Sequence, residues 1–173
     1  MKYITPISER QRLQVVERTA GFIRRGSKLF GQEFSEIPVV FDLSGGTAGM
    51  YRVRDTQRVI RYNPWIFAKY FDDSMAVTVP HEVAHYLVDC LHGLGKVRPH
   101  GVQWRGIMNA FGVEPRATGS FDLTGIPVRR QRRFTYRCEC STHHLATRRH
   151  NSVQRGEARY RCRDCGETLT AAS

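Results

Sequence analysis

Apolar residues near the start of the chain recur at the spacing of a helix. From about Ser8 to Phe30 they alternate with Arg and Glu, and the apolar positions are Leu13, Val16, Phe22, Ile23, Leu29 and Phe30. This period predicts an amphipathic first helix with one buried face.

Three short runs rich in β-branched and aromatic residues follow this helix. They cover residues 37–42, 50–54 and 58–62, and Gly45-Gly46 separates the first run from the second. Runs of this length that are bounded by glycines predict short strands. We expect the strands to form a small meander sheet, in which each strand pairs with the next.

Helical patterns return after Asn63-Pro64, a dipeptide that favours the start of a helix. We expect a short helix over residues 64–71, a longer one from Asp72 to about Leu91, and another over residues 103–111. Together with the first helix and the sheet, these elements predict an α+β fold.

The pattern weakens beyond the last of these helices. Residues 113–128 have little periodicity and contain two prolines and two glycines, which predicts a connecting segment. We therefore expect two domains, one over residues 1–125 and a small one over residues 126–173.

The composition is that of a folded protein. Hydrophobic residues make up 40% of the chain and charged residues 25%, enough to build a core. No apolar run approaches the roughly 20 residues of a membrane span, and the first residues lack the apolar segment of a secretory signal. We expect a cytoplasmic monomer with no membrane partner.

The net charge of +11 is unevenly distributed. Residues 126–173 hold 11 of the 27 basic residues but only 4 of the 16 acidic ones. Such a bias favours a polyanionic partner, DNA first, although a basic face can also serve solubility alone. The candidate nucleic-acid contacts are the arginines of this region: Arg129, Arg130, Arg132, Arg133, Arg148, Arg149 and Arg161.

The helix expected from Asp72 onwards carries the sequence His81-Glu82-Val83-Ala84-His85. Residues four apart lie on one face of a helix with Cβ atoms about 5 to 6 Å apart, so the two histidines can bind one metal ion. Zinc suits neutral imidazoles, and Glu82 beside them would be the general base of a peptide hydrolase. The plainer interpretation is two histidines on an ordinary helix, but the apolar frame of this segment predicts a buried active-site helix.

A catalytic zinc needs a third protein ligand. His92 shares the face of His85 but lies about 10 Å further along the helix axis, too far for the same ion. His100 follows a glycine-rich turn that can fold back, and it is the favoured candidate. Asp89 could orient a ligand or be a solvated carboxylate. For stabilising an oxyanion, Tyr62, Tyr86 and Arg61 are candidates that packing also explains.

Four of the five cysteines form two pairs near the end of the chain. Cys138 and Cys140 are separated by one residue, and Cys162 and Cys165 by two. This spacing indicates the two knuckles of a zinc ribbon, in which a structural zinc replaces the core that so short a segment cannot build. Because the first pair is short, His143 or His144 could replace one of its cysteines, although four cysteines are favoured. Cys90 stands alone and is interpreted as a buried apolar residue.

The order of these motifs resembles that of the SprT family. The likeness runs from about residue 8 to 168 and includes the zinc helix, Pro99-His100-Gly101-x-x-Trp104, Tyr136-Arg137-Cys138 and Tyr160-Arg161-Cys162-x-x-Cys165-Gly166. The resemblance implies a gluzincin-like metallopeptidase domain followed by a zinc ribbon. It also implies that His81, His85 and His100 hold a catalytic zinc, with Glu82 as the catalytic acid and base.

The best-understood relative in that family, eukaryotic Spartan, is a DNA-dependent protease that degrades proteins crosslinked to DNA. This chain lacks the long regulatory tail of Spartan, so its recruitment must differ. The resulting hypothesis is a zinc-dependent endopeptidase with one catalytic and one structural zinc, which acts on DNA-bound or DNA-crosslinked protein substrates. The alternative is a non-catalytic zinc protein that binds nucleic acid.

Overall fold

In a computed structural model, the chain divides into two compact units, residues 1–128 and 129–173. The structure describes residues 4–117, 119–128 and 132–172. We expected the boundary after residue 125. Ile126 is only 3% exposed and packs with Ala48 and Ile66, so the last residues before 129 belong with the first unit.

The first unit begins with the predicted amphipathic helix, α1 (Glu9–Phe30). A capping box starts it: the Ser8 hydroxyl accepts the N–H of Gln11, whose side chain accepts the N–H of Ser8. Gly31 ends it in the left-handed conformation, with φ of 60°. At Gly26 there is no room for a Cβ beside Leu87, so the glycine allows α1 to approach the helix that carries Leu87.

The three predicted strands are present, but their pairing is not that of a meander. The strands are β1 (Val39–Val40), β2 (Gly49–Arg54) and β3 (Gln57–Tyr62), in the order β1-β3-β2. The β2–β3 hairpin is antiparallel, whereas β1 runs parallel to β3.

The expected pairing of β1 with β2 is therefore wrong, and the intervening loop explains why. The amide of Asn63 donates hydrogen bonds to the carbonyls of Gly45 and Thr47. This fixes the loop beyond the end of β3, so the chain enters β2 from the far side. Strand β2 consequently lies at an edge of the sheet.

Two helical segments connect the sheet to the motif helix. Helix α2 (Pro64–Lys69) is capped by the Asn63 side chain, which accepts the N–H groups of Trp65 and Ile66. One helical turn, α3 (Phe71–Asp73), then leads into a π-helical segment over Ser74–Thr78.

The long helix expected from Asp72 is therefore irregular in its first part, and α4 (Val79–His92) forms its regular part. Pro80 gives a physical reason, because proline lacks an N–H and its ring clashes with the carbonyl four residues earlier. The wider π turn accommodates that carbonyl without ending the helix.

Helix α4 is the centre of the first unit. It packs against α1, against β2 and against α5 (Val102–Ala110). Its own contribution to the main core includes Val79, Val83, Leu87 and Val88, each at most 3% exposed. The ends of the motif residues are thus fixed by packing on several sides.

The second unit is a small sheet with one helix. Its elements are β4 (Arg133–Arg137), β5 (Thr142–Ala146), α6 (Thr147–Gln154) and β6 (Thr170–Ala171), with sheet order β5-β4-β6. Its buried core consists of Tyr136, Leu145, Cys162 and Leu169. So small a core agrees with the expectation that a metal site must add stability.

Candidate metal centres and their surroundings

Three histidines of the first unit converge on one point. The Nε2 atom of His85 lies 3.2 Å from that of His81 and 3.0 Å from that of His100, and the remaining pair is 3.1 Å apart. Nitrogens bound tetrahedrally at the usual Zn–N distance are about 3.3 Å apart, so the triangle has the size of a zinc site. His92 is exposed and lies outside this cluster.

Hydrogen bonds alone cannot satisfy this triangle. Each neutral imidazole Nε2 either carries a proton and donates or has a lone pair and accepts. Among three mutually adjacent nitrogens, at least two must therefore have the same role and repel each other. A cation at the centre would turn all three lone pairs to one partner, so the donor set fits a metal ion.

Burial keeps these imidazoles in the neutral form that binds metals. It lowers the pKa of His81 to about 4; the neighbouring His100 lowers it further, and a backbone hydrogen bond with Arg116 opposes the shift. Burial likewise lowers the pKa of His85 to about 3, with His81 and His100 contributing. The pKa of His100 is lowered by burial and by Arg105.

Trp104 forms the floor beneath the three histidines. The indole is 1% exposed, and its ring centroid lies 4.7 Å from those of His81 and His100 and 5.7 Å from that of His85. Its Nε1–H donates to the carbonyl of His81 at 3.3 Å. The indole therefore fixes both the ring planes and the backbone of the site.

His100 reaches the site through an unusual backbone conformation. Its φ is 54°, in the left-handed region that residues with a side chain rarely adopt. Gly101 follows it, where a Cβ would lie 2.8 Å from the carbonyl oxygen of Arg98. The Pro-His-Gly turn is thus built to aim one imidazole at α4.

Glu82 lies beside this cluster and is held by the edge strand. The residue is 5% exposed, and its Oε2 accepts the backbone N–H of Tyr51 at 2.7 Å, while Oε1 is 4.0 Å from Nε2 of His81. Burial raises the pKa of Glu82 to about 8, and the hydrogen bond from Tyr51 opposes the shift. One carboxylate oxygen is therefore occupied and the other faces the histidines.

Gly49 makes this approach of strand and carboxylate sterically possible. A Cβ at this position would lie 2.7 Å from both Cγ and Oε1 of Glu82, and 2.9 Å from Cγ2 of Thr78. Tyr51 clamps the strand a second time, since its hydroxyl donates to Asp89 at 2.7 Å. Asp89 also accepts from Arg58 and from the N–H of Leu94, so it joins the sheet to α4.

A cavity of about 770 Å³ opens beside His81 and Glu82. Residues 46–49 line one side, and residues between Val113 and Phe121 line another. None of the three candidates for an oxyanion partner lines this cavity. The hydroxyl of Tyr62 contacts that of Thr19, Tyr86 donates to the carbonyl of Ser35, and Arg61 forms an ion pair with Asp42.

The second unit brings its two cysteine pairs together. The four Sγ atoms of Cys138, Cys140, Cys162 and Cys165 all lie within 4.8 Å of one another, with 3.4 Å between Cys138 and Cys140. Sulfurs around a tetrahedral zinc are about 3.8 Å apart, so four thiolates fit a structural zinc.

His143 lies next to this cysteine cluster. Its Nε2 is 3.3 Å from Sγ of Cys138 and 3.0 Å from the hydroxyl of Ser141. Its contact lowers the pKa of Cys138 to about 5 against the opposing effect of burial. The imidazole thus stabilises a thiolate and does not stand in for a missing cysteine.

The arginines of the second unit differ in what they contact. The described candidates Arg132, Arg133, Arg148, Arg149 and Arg161 are all exposed, and none has a carboxylate partner within the described residues. Arg132 lies over Phe134 and Arg149 over Tyr160. Arg129 and Arg130 lie outside the described residues. The three rings predicted as base platforms or ribbon core, Phe134, Tyr136 and Tyr160, belong to the core cluster.

Comparison with known proteins agrees with this geometry. The SprT-like family model matches residues 19–132, and the SprT-like zinc ribbon domain model matches residues 132–172. Protein SprT of Klebsiella pneumoniae (strain 342) is 40% identical over 141 residues, which cover 81% of each chain. The chain belongs to the SprT-like family. The family resemblance inferred from the sequence is thus confirmed.

A further SprT relative extends the match. Protein SprT of Escherichia coli (strain K12) is 37% identical over 158 residues, which are 91% of this chain and 92% of the relative. No solved structure shows a significant match to this SprT-like chain. Within the described residues, no helix is both long and apolar enough to cross a bilayer.

Sequence reasoning missed three residues of this SprT-like site. Tyr51 and Gly49 hold Glu82 from a strand that lies more than thirty positions earlier. Arg116 contributes a backbone hydrogen bond to His81 from a loop without periodicity. Such long-range contacts leave no local pattern, whereas the Pro-His-Gly signal did indicate the position of His100.

Proposed function

We propose that the protein is a zinc-dependent endopeptidase with Glu82 as general base, and that its substrates are DNA-bound or DNA-crosslinked proteins. The observation that carries the first part is the histidine triangle with a buried carboxylate beside it. A zinc ion held by His81, His85 and His100 would supply Lewis-acid polarisation of a peptide carbonyl and lower the pKa of water. We extend to this chain the gluzincin-like architecture that the resemblance implies.

Glu82 has the arrangement that proton transfer requires. The hydrogen bond from Tyr51 fixes Oε2, so Oε1 is the atom that takes the proton from water and later delivers it to the leaving amine. Gly49 and Tyr51 keep this oxygen aimed at the histidines. The carboxylate therefore starts close to its working position, without a reorganisation step.

The edge strand supports a peptide as the substrate. Strand β2 pairs on one side with β3, and its other side is not paired within the described sheet. An extended peptide can add to such an edge through backbone hydrogen bonds, and its scissile bond would then lie beside Glu82. The adjacent cavity is open enough for a chain and not only for a small molecule.

The exposed arginines of the ribbon support DNA as the place of action. Cations without carboxylate partners can neutralise phosphates and would give binding that weakens steeply with salt. Because such contacts carry little base specificity, proximity to DNA would decide which proteins are cut. We infer a monomer with no membrane partner, in the cytoplasm.

Proteolysis of a basic DNA-binding protein tests the proposal directly. The wild type, Glu82→Gln and, as a matched control on the same helix, His92→Gln are compared with and without single-stranded DNA at two salt concentrations. We expect cleavage by the wild type and the control, stimulated by DNA at low salt, and none by Glu82→Gln. DNA binding without cleavage by any of the three proteins would favour the non-catalytic zinc protein.

A further inference from the structure

Helix α1 carries a groove on the surface of the first unit that the proposed protease chemistry does not use. The cavity has a volume of about 760 Å³, and none of its lining residues belongs to the histidine cluster. Leu13, Phe22 and Met75 supply its apolar surface, and Leu13 is 65% exposed. An apolar surface this open is unusual unless something covers it.

The groove has a basic rim. Arg10, Arg18 and Arg25 line it, and none of them has a carboxylate partner in the part of the chain that the structure describes. Eight and seven residues separate them, which corresponds to about 12 and 10 Å along the helix. The acidic residue in the lining, Glu17, is already paired with Arg24. The rim therefore complements a partner with negative charges spaced at two helical turns.

Gly21 lies within this lining, in the middle of α1, for no intramolecular reason. A Cβ there would find Arg24 Nη2 at 4.0 Å as its nearest atom, and the residue has ordinary helical geometry. Glycine inside a helix is destabilising relative to alanine. A bare backbone at this point permits the close approach of another chain.

The shape of the lining distinguishes between a nucleic acid and a peptide. Unstacked bases need an open aromatic face, but Phe22 is 5% exposed and the guanidinium of Arg18 covers its ring at 4.7 Å. The accessible apolar groups are instead the aliphatic and thioether side chains of Leu13 and Met75. Such groups accept aliphatic side chains in many arrangements.

We propose that this groove is a docking site for an acidic amphipathic helix of a partner protein. The apolar face of that helix covers Leu13 and Met75, its backbone passes Gly21, and its carboxylates contact the arginine rim. This is helix-in-groove recognition, with anchors at positions i, i+3 or i+4, and i+7 of the partner. The site lies entirely in the first unit and does not depend on the metal centres.

Selection from a phage-displayed library of 16-residue peptides tests the proposal on the full-length protein. Synthetic versions of the enriched peptides are then measured by fluorescence anisotropy. We expect acidic sequences with apolar residues at helical spacing. Their affinity should fall at least roughly tenfold with Leu13→Glu, since an apolar anchor site becomes a like charge. Leu29→Glu, at a 47% exposed leucine of the same helix outside the groove, should leave the affinity unchanged.

Two further variants separate docking from folding and from general charge. Gly21→Leu fills the groove while it improves helix propensity, so a loss of affinity with an unchanged or higher Tm cannot reflect unfolding. Arg10→Glu should weaken binding, mostly through the association rate, whereas Lys28→Glu on the same helix should not. Enrichment of no peptide, or affinities that ignore Leu13→Glu and Gly21→Leu, would overturn the proposal. A dT15 oligonucleotide that competes for the groove and loses affinity with Arg10→Glu would assign it to nucleic acid instead.

Discussion

The backbone N–H of Tyr51 and the side chain of Glu82 are joined by a 2.7 Å hydrogen bond that ties the edge strand to the motif helix. The hydroxyl of the same tyrosine reaches Asp89, which lies two turns further along α4 on the same face. One residue thus fixes the strand to the helix at two points. The orientation of the general base consequently depends on the strand as much as on the helix that carries it.

Gly49→Ala should reduce turnover without removing the metal. The new methyl group would occupy space within 2.7 Å of Glu82 Cγ and Oε1, so the carboxylate must rotate or the strand must move. Misplacement of a general base by a fraction of an ångström to one ångström costs roughly 10 to 100-fold in kcat. We expect that loss with little change in KM, measured by peptide hydrolysis, and two zinc ions per chain by atomic absorption.

Gly106→Ala is the matched control for that substitution. Gly106 lies on α5, and a Cβ there would meet nothing within 4 Å. Its activity should equal that of the wild type. Equal activity of Gly49→Ala and Gly106→Ala would show that the edge strand does not position Glu82.

Glu82→Gln should change how the stability of the metal-free protein depends on pH. The pKa of Glu82 is raised to about 8 in the folded state, against about 4.5 when unfolded, so between these values the native state binds more protons. Stability contributed by this group is thus present below about pH 4.5 and is lost as the pH rises towards 8. The neutral glutamine escapes this loss.

Chemical denaturation of both proteins after metal removal measures the effect. We expect Glu82→Gln to be more stable than the wild type at pH 8 by roughly 2 to 5 kcal/mol, and the difference to shrink towards pH 5. Histidines 81 and 85 act in the opposite sense, because their lowered pKa values destabilise the fold below about pH 6.5. They are common to both proteins and cancel in the difference. A difference that does not vary with pH would contradict the assigned burial of the carboxylate.

Trp104→Phe should weaken zinc binding at the histidine site. The substitution removes the hydrogen bond to the carbonyl of His81 and leaves a gap beneath the imidazoles. Loss of such support for metal ligands typically lowers affinity roughly 10 to 100-fold. Competition with a chromogenic chelator measures this, and Trp65→Phe, which alters the other tryptophan of the chain, should retain the wild-type affinity. Equal affinities for both variants would remove the indole from the site.

The local parts of the fold and the site followed from the sequence, and the long-range parts did not. The period of α1, the pairing of His81 with His85 and the spacing of the cysteines are all set within a few residues. His100 was accessible because its Pro-His-Gly turn is itself a local feature.

Other features depend on partners that are distant in the sequence. The parallel pairing of β1 with β3 depends on Asn63, whose amide holds a loop some seventeen residues earlier. Gly49 reads in the sequence as an ordinary turn residue, since only the folded chain brings it to Glu82. The π-helical segment had a local signal in Pro80, which can distort as well as start a helix.

Cys162→Ser should unfold the second unit and leave the first intact. Cys162 is 3% exposed, belongs to the ribbon core and shares the metal cluster with the other three cysteines. Without a complete set of thiolates, the structural zinc no longer offsets the entropy of folding. Hydrogen exchange should show loss of protection in β4 and β5 but not in α4, and bound zinc should fall from two ions to one. Cys90→Ser should keep both ions, and retention of both by Cys162→Ser would contradict the four-cysteine site.

Charge reversal on α6 should weaken DNA binding in a way that depends on the ionic partner of each arginine. Arg148 is exposed without a carboxylate partner among the described residues, whereas Arg155 on the segment just after the helix makes two hydrogen bonds to Glu157. Arg148→Ala should lower affinity for a single-stranded oligonucleotide and reduce the slope of log K against log salt by roughly 0.7. Arg155→Ala is the matched control and should change the slope little, because its charge is already neutralised. Equal slopes for the wild type and both variants would mean that the basic ribbon contacts no phosphate through this helix, and that its charge serves solubility alone.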